Sequence, residues 1–175
     1  NYNETYDSLL SCLRDGDAIL DLACGPGNIS RYLATRKRLR VTGFDLSAGM
    51  LAIARETVPG GSFHQRSIID FSLNETYDAV INGFGLPYLD DRQAVQSLRS
   101  SAAALSLRGT LYLSFMEGDG CRLETPSFNH DVRLLVHYHR QATVTLALEA
   151  LGLSVMRKWE LDYLEEDGRV TKDVV

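Results

Sequence analysis

The sequence predicts a doubly wound α/β fold: a mostly parallel, seven-stranded Rossmann-like sheet with helices on both faces and an antiparallel pair of strands at its C-terminal end. Three observations carry this. Short apolar runs alternate with helical patterns at the spacing of βαβ units. The first run breaks into a glycine turn that opens a helix, in "ILDLACGPGNIS" (residues 19–30). The last 22 residues, from "SVMRKWELDY" to "GRVTKDVV", read as two strands joined by a tight turn at "LEEDG".

The elements follow in order. Tyr6, Leu9, Leu10 and Leu13 recur at helical spacing until "RDGD" interrupts them. "AILDLAC" is a nearly continuous apolar run, as expected of a strand buried on both faces of a parallel sheet. Past the turn, Ile29, Tyr32 and Leu33 resume the helical period. "RVTGFDLS" is a second strand closed by Asp45, and Ser47 is placed to cap the helix "AGMLAIARETV", which Pro59, Gly60 and Gly61 end. "SFHQRS" gives a third strand and "YDAVINGFG" a fourth. "DRQAVQSLRSSAAAL" is a helix with an expected apolar face of Val95, Leu98, Ala102 and Leu105, and "GTLYLSFM" is the fifth strand. Residues 116–142 then form a polar excursion on the substrate side, in which "RLLVHYHRQ" has the pattern of one extra strand. "ATVTLALEALGL" is a helix ended by Gly152.

With 175 residues, 45% of them hydrophobic and 23% charged, the chain has the size of one domain, taken here as residues 1–175, with a sizeable core. The pattern begins abruptly at Asn1 and stops within a strand at Val175, as expected of a piece of a longer protein. No run reaches the roughly 18 to 20 apolar residues of a membrane span, and the first residues lack a secretory pattern, so a cytoplasmic location without membrane attachment is expected. The net charge of −5 speaks against a nonspecific grip on nucleic acid. The basic cluster Arg36, Lys37, Arg38 and Arg40 reads as a solvated loop. Three scattered cysteines provide neither a disulfide framework nor a thiolate metal site.

A carboxylate at the mouth of a glycine turn sets this loop apart from those that bind phosphate, which present backbone N–H groups to an anion. Asp21 therefore points to a ligand that is cationic at that place. A dinucleotide loop has the form G-x-G-x-x-G/A; Gly25 and Gly27 match, but Ser30 stands at the third position. An acid closing the second strand, here Asp45, suits ribose hydroxyls.

"LDLACGPG" with "VTGFDLSAGML" resembles the first two motifs of the class I S-adenosylmethionine-dependent methyltransferases, and the resemblance extends over nearly the whole chain. It implies an enzyme whose cofactor is S-adenosyl-L-methionine, with S-adenosyl-L-homocysteine as product. Asp21 would act near the ammonium of the methionine part, through water or the loop backbone, and the backbone of Ala23, Cys24, Gly25 and Gly27 would lie against the cofactor. Asp45 would take the ribose hydroxyls, with Leu46 and Met50 packed on the adenine. "RSIIDF" corresponds to the stretch that reads the adenine edge, through Ser67 or the Ile68 backbone, where relatives often carry an acid and Asp70 is a substitute. Asn82 and Gly83 would lie beneath the sulfonium. Tyr2 and Tyr6 either close over the cofactor or staple the first helix.

The expected reaction is methyl transfer to an O, N or C nucleophile of a small molecule. His137, Tyr138 and His139 are the candidates for a general base; two half-exposed histidines is the plainer reading of "HYH", and a metal pair there lacks a third ligand. The acceptor is expected to be a small molecule, and the protein a monomer or homodimer. The alternatives are a nicotinamide-dependent oxidoreductase, against which Asp21 and Ser30 both count, and a noncatalytic cofactor-binding module.

Overall fold

Strand β1 (Ala18–Leu22), every residue of it buried, lies in the interior of a seven-stranded sheet in the computed structural model, which describes residues 2–125, 132–164 and 168–175. Parallel to it on one side run β2 (Arg40–Asp45) and then β3 (Ser62–Gln65); on the other run β4 (Tyr77–Gly83) and β5 (Leu105–Met116). The antiparallel pair β8 (Glu160–Leu164) and β9 (Val170–Val174) completes the order β3-β2-β1-β4-β5-β9-β8. The predicted sheet is thus present, although the turn that joins its last two strands lies, at 165–167, outside the described residues.

Side-chain alternation along the strands divides the core in two. Leu20, Leu22 and Val80 point to one face, where they meet Leu98 of α4 (Asp91–Ala104) and Val144 of α5 (Gln141–Ala150). Ile19, Ala79 and Ile81 point to the other, against Leu9 and Leu10 of α1 (Asn3–Cys12), Leu33 of α2 (Asn28–Ala34) and Leu51 and Ala54 of α3 (Ala48–Thr57). By the same alternation Asp21 shares the α1–α2 face with Ile19, and Asn82 lies on the opposite face with Val80.

Ser47 caps α3 as expected, its hydroxyl accepting the Met50 N–H at 3.3 Å. A capping box of Asp90 and Gln93 starts α4. The buried face of α4 departs from the sequence reading: it is Ala94, Ser97, Leu98, Ser100, Ser101 and Ala104, while Val95 and Ala102 are half-buried and Leu105 already begins β5. Local bonding allows this, since the Ser100 hydroxyl accepts the Phe71 N–H and donates to the Ile69 carbonyl, and that of Ser101 donates to the Ser97 carbonyl.

The excursion after β5 also differs. The expected extra strand is there as β7 (Leu134–His137), but it pairs with a second short strand, β6 (Cys121–Glu124), in a two-stranded antiparallel ribbon of its own. The intervening stretch of the predicted excursion, 126–131 with His130, lies outside the described residues.

Candidate active site

Two strand ends and a turn build the site. Leaving β1, the chain takes up left-handed backbone at Ala23 (φ +51°), Gly25 (φ +53°) and Gly27 (φ +81°), and the Gly27 N–H closes the turn on the Cys24 carbonyl at 2.9 Å before α2 begins. Such backbone is easy for glycine and costly for alanine, so Ala23 is a point of stored strain at the mouth of the turn. A Cβ placed on Gly25 would meet nothing within 4 Å, so that residue serves the turn's geometry and leaves open space in front of it.

Asp45 ties the second strand to this turn. Its Oδ2 accepts the Gly25 N–H and its Oδ1 the Ser47 N–H, both at 2.8 Å. Each oxygen keeps lone-pair capacity for a further donor. Beside it Leu46 is 67% exposed and Met50 half-buried, which gives the acid an apolar margin. Tyr88, in the helical turn Leu86–Tyr88 after β4, stands within electrostatic reach of Asp45; burial and then that charge push its phenol up. The sequence reading did not single out Tyr88, because nothing local links it to a residue 43 positions earlier.

Asp21 is only 2% exposed. Its Oδ2 accepts the Ser30 hydroxyl at 2.6 Å, and the Ser30 N–H bonds the same carboxylate. Burial pushes the carboxyl up to about 7, the two Ser30 bonds pull against that shift, and the neighbouring Asp45 adds to it. The Cys24 thiol is pushed well above its usual range by burial and by Asp21 and Asp45, so it is a packing group and no nucleophile.

The third strand end closes the cleft. A Cβ on Gly85 would lie 2.4 Å from Asn82 Oδ1, 2.8 Å from Ile68 Cδ1 and 3.2 Å from Ala23 Cβ. The turn after β1, the stretch after β3 and the end of β4 itself thus converge on Gly85, through Ala23, Ile68 and Asn82 of the predicted set. Asn82 is wholly buried, its Oδ1 accepts the Gly85 N–H at 2.9 Å, and its Nδ2 has no partner among the described residues. Gly83 abuts the start of α2, since a Cβ there would lie 2.3 Å from Ile29 Cδ1. Ser67 is half-buried and accepts the Ile69 N–H, whereas Asp70 is exposed and accepts from Gln96 on α4 at 3.3 Å, on the outer wall of the sheet.

Aromatic rings cover the α1 side. Tyr6 packs on Tyr32 and Tyr112 with centroids 5.2 and 5.8 Å away, and Tyr2 stands edge-on to Phe84 at 5.5 Å. The Tyr2 hydroxyl donates to Asp173 of β9, and Thr5 bonds the Tyr112 hydroxyl at 2.8 Å. Tyr6 is pushed up by burial and then by the charge of Asp21, so the two are within electrostatic reach of each other. The helix is stapled to α2, β5 and β9.

The "HYH" triplet does not act as a unit. His139 is 4% exposed, with Nδ1 3.2 Å from Asp91 Oδ1 and Nε2 donating to the Leu86 carbonyl at 3.0 Å. The Tyr138 hydroxyl donates to Glu124, and burial and that bond push it up to about 12, unsuited to a base near neutrality. Both line a cavity of about 130 Å³ between α4 and α5, on the sheet face opposite Asp21. His137 remains half-buried on β7. A larger groove of about 750 Å³ runs between Asp70 and the outer face of α4, likewise away from the turn.

Comparison with known proteins agrees with this geometry. Residues 19–109, just over half of the chain, match the methyltransferase-domain family. A trans-aconitate 2-methyltransferase of Paracidovorax citrulli is 51% identical over 51 residues, 29% of this chain and 20% of that protein. A malonyl-[acyl-carrier protein] O-methyltransferase of Bacillus cereus is 33% identical over 116 residues, 61% and 42% of the two. The chain therefore spans a fifth to two fifths of the length of these curated relatives. In fold it is similar to a SAM-dependent methyltransferase from Methanosarcina mazei, with a TM-score of 0.79 at 17% identity over 95% of this chain and 94% of that one. With residues 19–109 matched, from β1 into the start of β5, the chain belongs to the methyltransferase-domain family, and it shares its fold with S-adenosylmethionine-dependent methyltransferases.

Proposed function

We propose that residues 1–175 act as one domain that holds S-adenosylmethionine in the cleft between the ends of β1, β2 and β4 and passes its methyl group to a nucleophile on a small molecule. The observation that carries this is the bond from the Gly25 N–H to Asp45, which sets two acids, one half-buried and one buried, around a turn with open space before it. Two carboxylates would repel a pyrophosphate but suit a ligand with ribose hydroxyls at one end and an ammonium at the other. The bound cofactor supplies a methyl group on a sulfonium, open to in-line displacement.

The residues then have separate tasks. Asp45 accepts from the ribose hydroxyls while Leu46 and Met50 give the base an apolar seat. Asp21 acts on the charged tail from beneath the turn. Gly83, Asn82 and the left-handed Phe84 form the floor of the cleft, and Tyr2 and Tyr6 exclude water on the α1 side. Alignment in a dry site is the main requirement of such a transfer. Where the acceptor needs to lose a proton, His137 is the member of the triplet left to take it, because His139 and Tyr138 are spent on Leu86, Asp91 and Glu124. The net negative charge and the names of relatives, a trans-aconitate 2-methyltransferase and a malonyl-[acyl-carrier protein] O-methyltransferase, both favour a metabolite or its carrier-bound form as acceptor over nucleic acid. Incubation with S-adenosylmethionine and a panel of carboxylic, phenolic and amine metabolites, read by mass spectrometry for methylated product, tests this; S-adenosylhomocysteine formed only with protein or nucleic acid acceptors would overturn it.

A further inference from the structure

Ser30, the residue that sets the turn apart from a dinucleotide loop, is fully buried in the first turn of α2, with both its hydroxyl and its N–H on the Asp21 carboxylate. The titratable groups that face Asp21 are Tyr6 from α1, Cys24 from the turn and Asp45 from β2, while β4 sets Ile81 beside it. None of these is a cation. A buried carboxylate in such company is held by hydrogen bonds or by the charge of a ligand. The glycine or alanine of a dinucleotide loop at this position would remove one donor of a bond as short as 2.6 Å.

We propose that Ser30 is a positioning residue for the cationic end of the cofactor: by donating its O–H and N–H to Asp21, it keeps that acid ionised and oriented for the ammonium of the amino-acid tail. This rests on the methyltransferase reading above. Burial raising the Asp21 carboxyl, with the Ser30 bonds opposing it, is in keeping with the geometry. The consequence is a pH dependence. As pH falls through about 7 Asp21 gains its proton and the tail loses its counter-charge; without the Ser30 hydroxyl the same loss begins at higher pH.

The test is calorimetric titration of the whole chain at pH 5.5 to 8.5 with two probes, S-adenosylhomocysteine and 5′-methylthioadenosine, which lacks the amino-acid tail. For Ser30→Ala the midpoint of the S-adenosylhomocysteine affinity profile is expected to rise by about one pH unit, roughly a fivefold loss at pH 7 that approaches tenfold at lower pH and largely recovers at pH 8.5. Methylthioadenosine affinity should be unchanged, and Ser30→Thr should restore the wild-type profile. Equal loss for both probes, or a loss independent of pH, would make Ser30 merely structural and overturn the inference. Should the alanine variant fail to fold, the wild-type profiles decide: a flat S-adenosylhomocysteine profile overturns the role of Asp21 and Ser30, and one that falls on acidification while that of methylthioadenosine stays flat supports it. Binding of neither probe by folded wild-type protein would instead overturn the cofactor reading itself.

Discussion

Replacing Asp21 by asparagine should make the unliganded protein more stable at pH 8 while weakening its hold on the cofactor. Asp21 is buried, and its carboxyl is raised from 3.8 to about 7. Proton counting fixes the sign: between these values the folded state binds more protons than the unfolded one, so stability is full below about pH 4 and is lost as pH rises through 7. With those two values the wild type loses on the order of 2.5 kcal/mol between pH 5 and pH 8 through this one group. The asparagine side chain keeps an oxygen for the Ser30 hydroxyl but adds a buried amide, at a cost of about 1 to 3 kcal/mol that does not vary with pH. The variant's stability relative to wild type should therefore improve by about 2 to 3 kcal/mol from pH 5 to pH 8, whatever its offset. Urea unfolding of both proteins at the two pH values, followed by circular dichroism, measures this. A difference that stays constant with pH would refute the claim that the site stores an unfavourable buried charge. Affinity for S-adenosylhomocysteine should fall at the same time if the acid that destabilises the empty fold is, as proposed, the counter-charge of the cationic tail.

Other substitutions probe the remaining parts of the site. Asp45→Ala should weaken S-adenosylhomocysteine binding by about 1.5 to 3 kcal/mol in calorimetry with an unchanged far-ultraviolet spectrum. Gly25→Val should reduce binding further, because it strains a left-handed residue and fills the space before the turn, and thermal melting will report the accompanying loss of stability. His139→Ala should lower unfolding stability by about 2 to 3 kcal/mol, through the orphaned Leu86 carbonyl and the vacated volume, without altering affinity for methylthioadenosine. His137→Ala should leave denaturant unfolding unchanged and lower turnover of any acceptor that must be deprotonated.

How much of this was legible in the sequence depended on how local the signal was. The glycine turn, the acids at the ends of β1 and β2 and the Ser47 cap are each written within a few residues, and the structure has them where the pattern put them. The buried face of α4 was misread because hydrophobicity alone favours Val95 over Ser97 and Ser101, and cannot foresee serines that bond the backbone of their own helix or of 69–71. The β6–β7 ribbon escaped because Cys121–Glu124 is four residues long with one strongly apolar side chain, and gains strand geometry only from its partner. His139 looked like a reactive residue beside His137 since its two partners, Leu86 and Asp91, lie about fifty residues upstream. Ser30 was visible as a departure from a pattern, but the carboxylate it serves became visible only when α2 folded back over β1.

The cleft between Asp21, Asp45 and Gly85 is proposed to bind S-adenosylmethionine. Calorimetric titration of the purified chain with S-adenosylmethionine and S-adenosylhomocysteine, with NADH as control and Asp45→Ala alongside, tests it most directly. Micromolar binding of the first two by the wild type is expected, with markedly weaker binding by the variant and none of NADH. Binding of NADH, or binding of S-adenosylhomocysteine unaffected by the loss of Asp45, would contradict it.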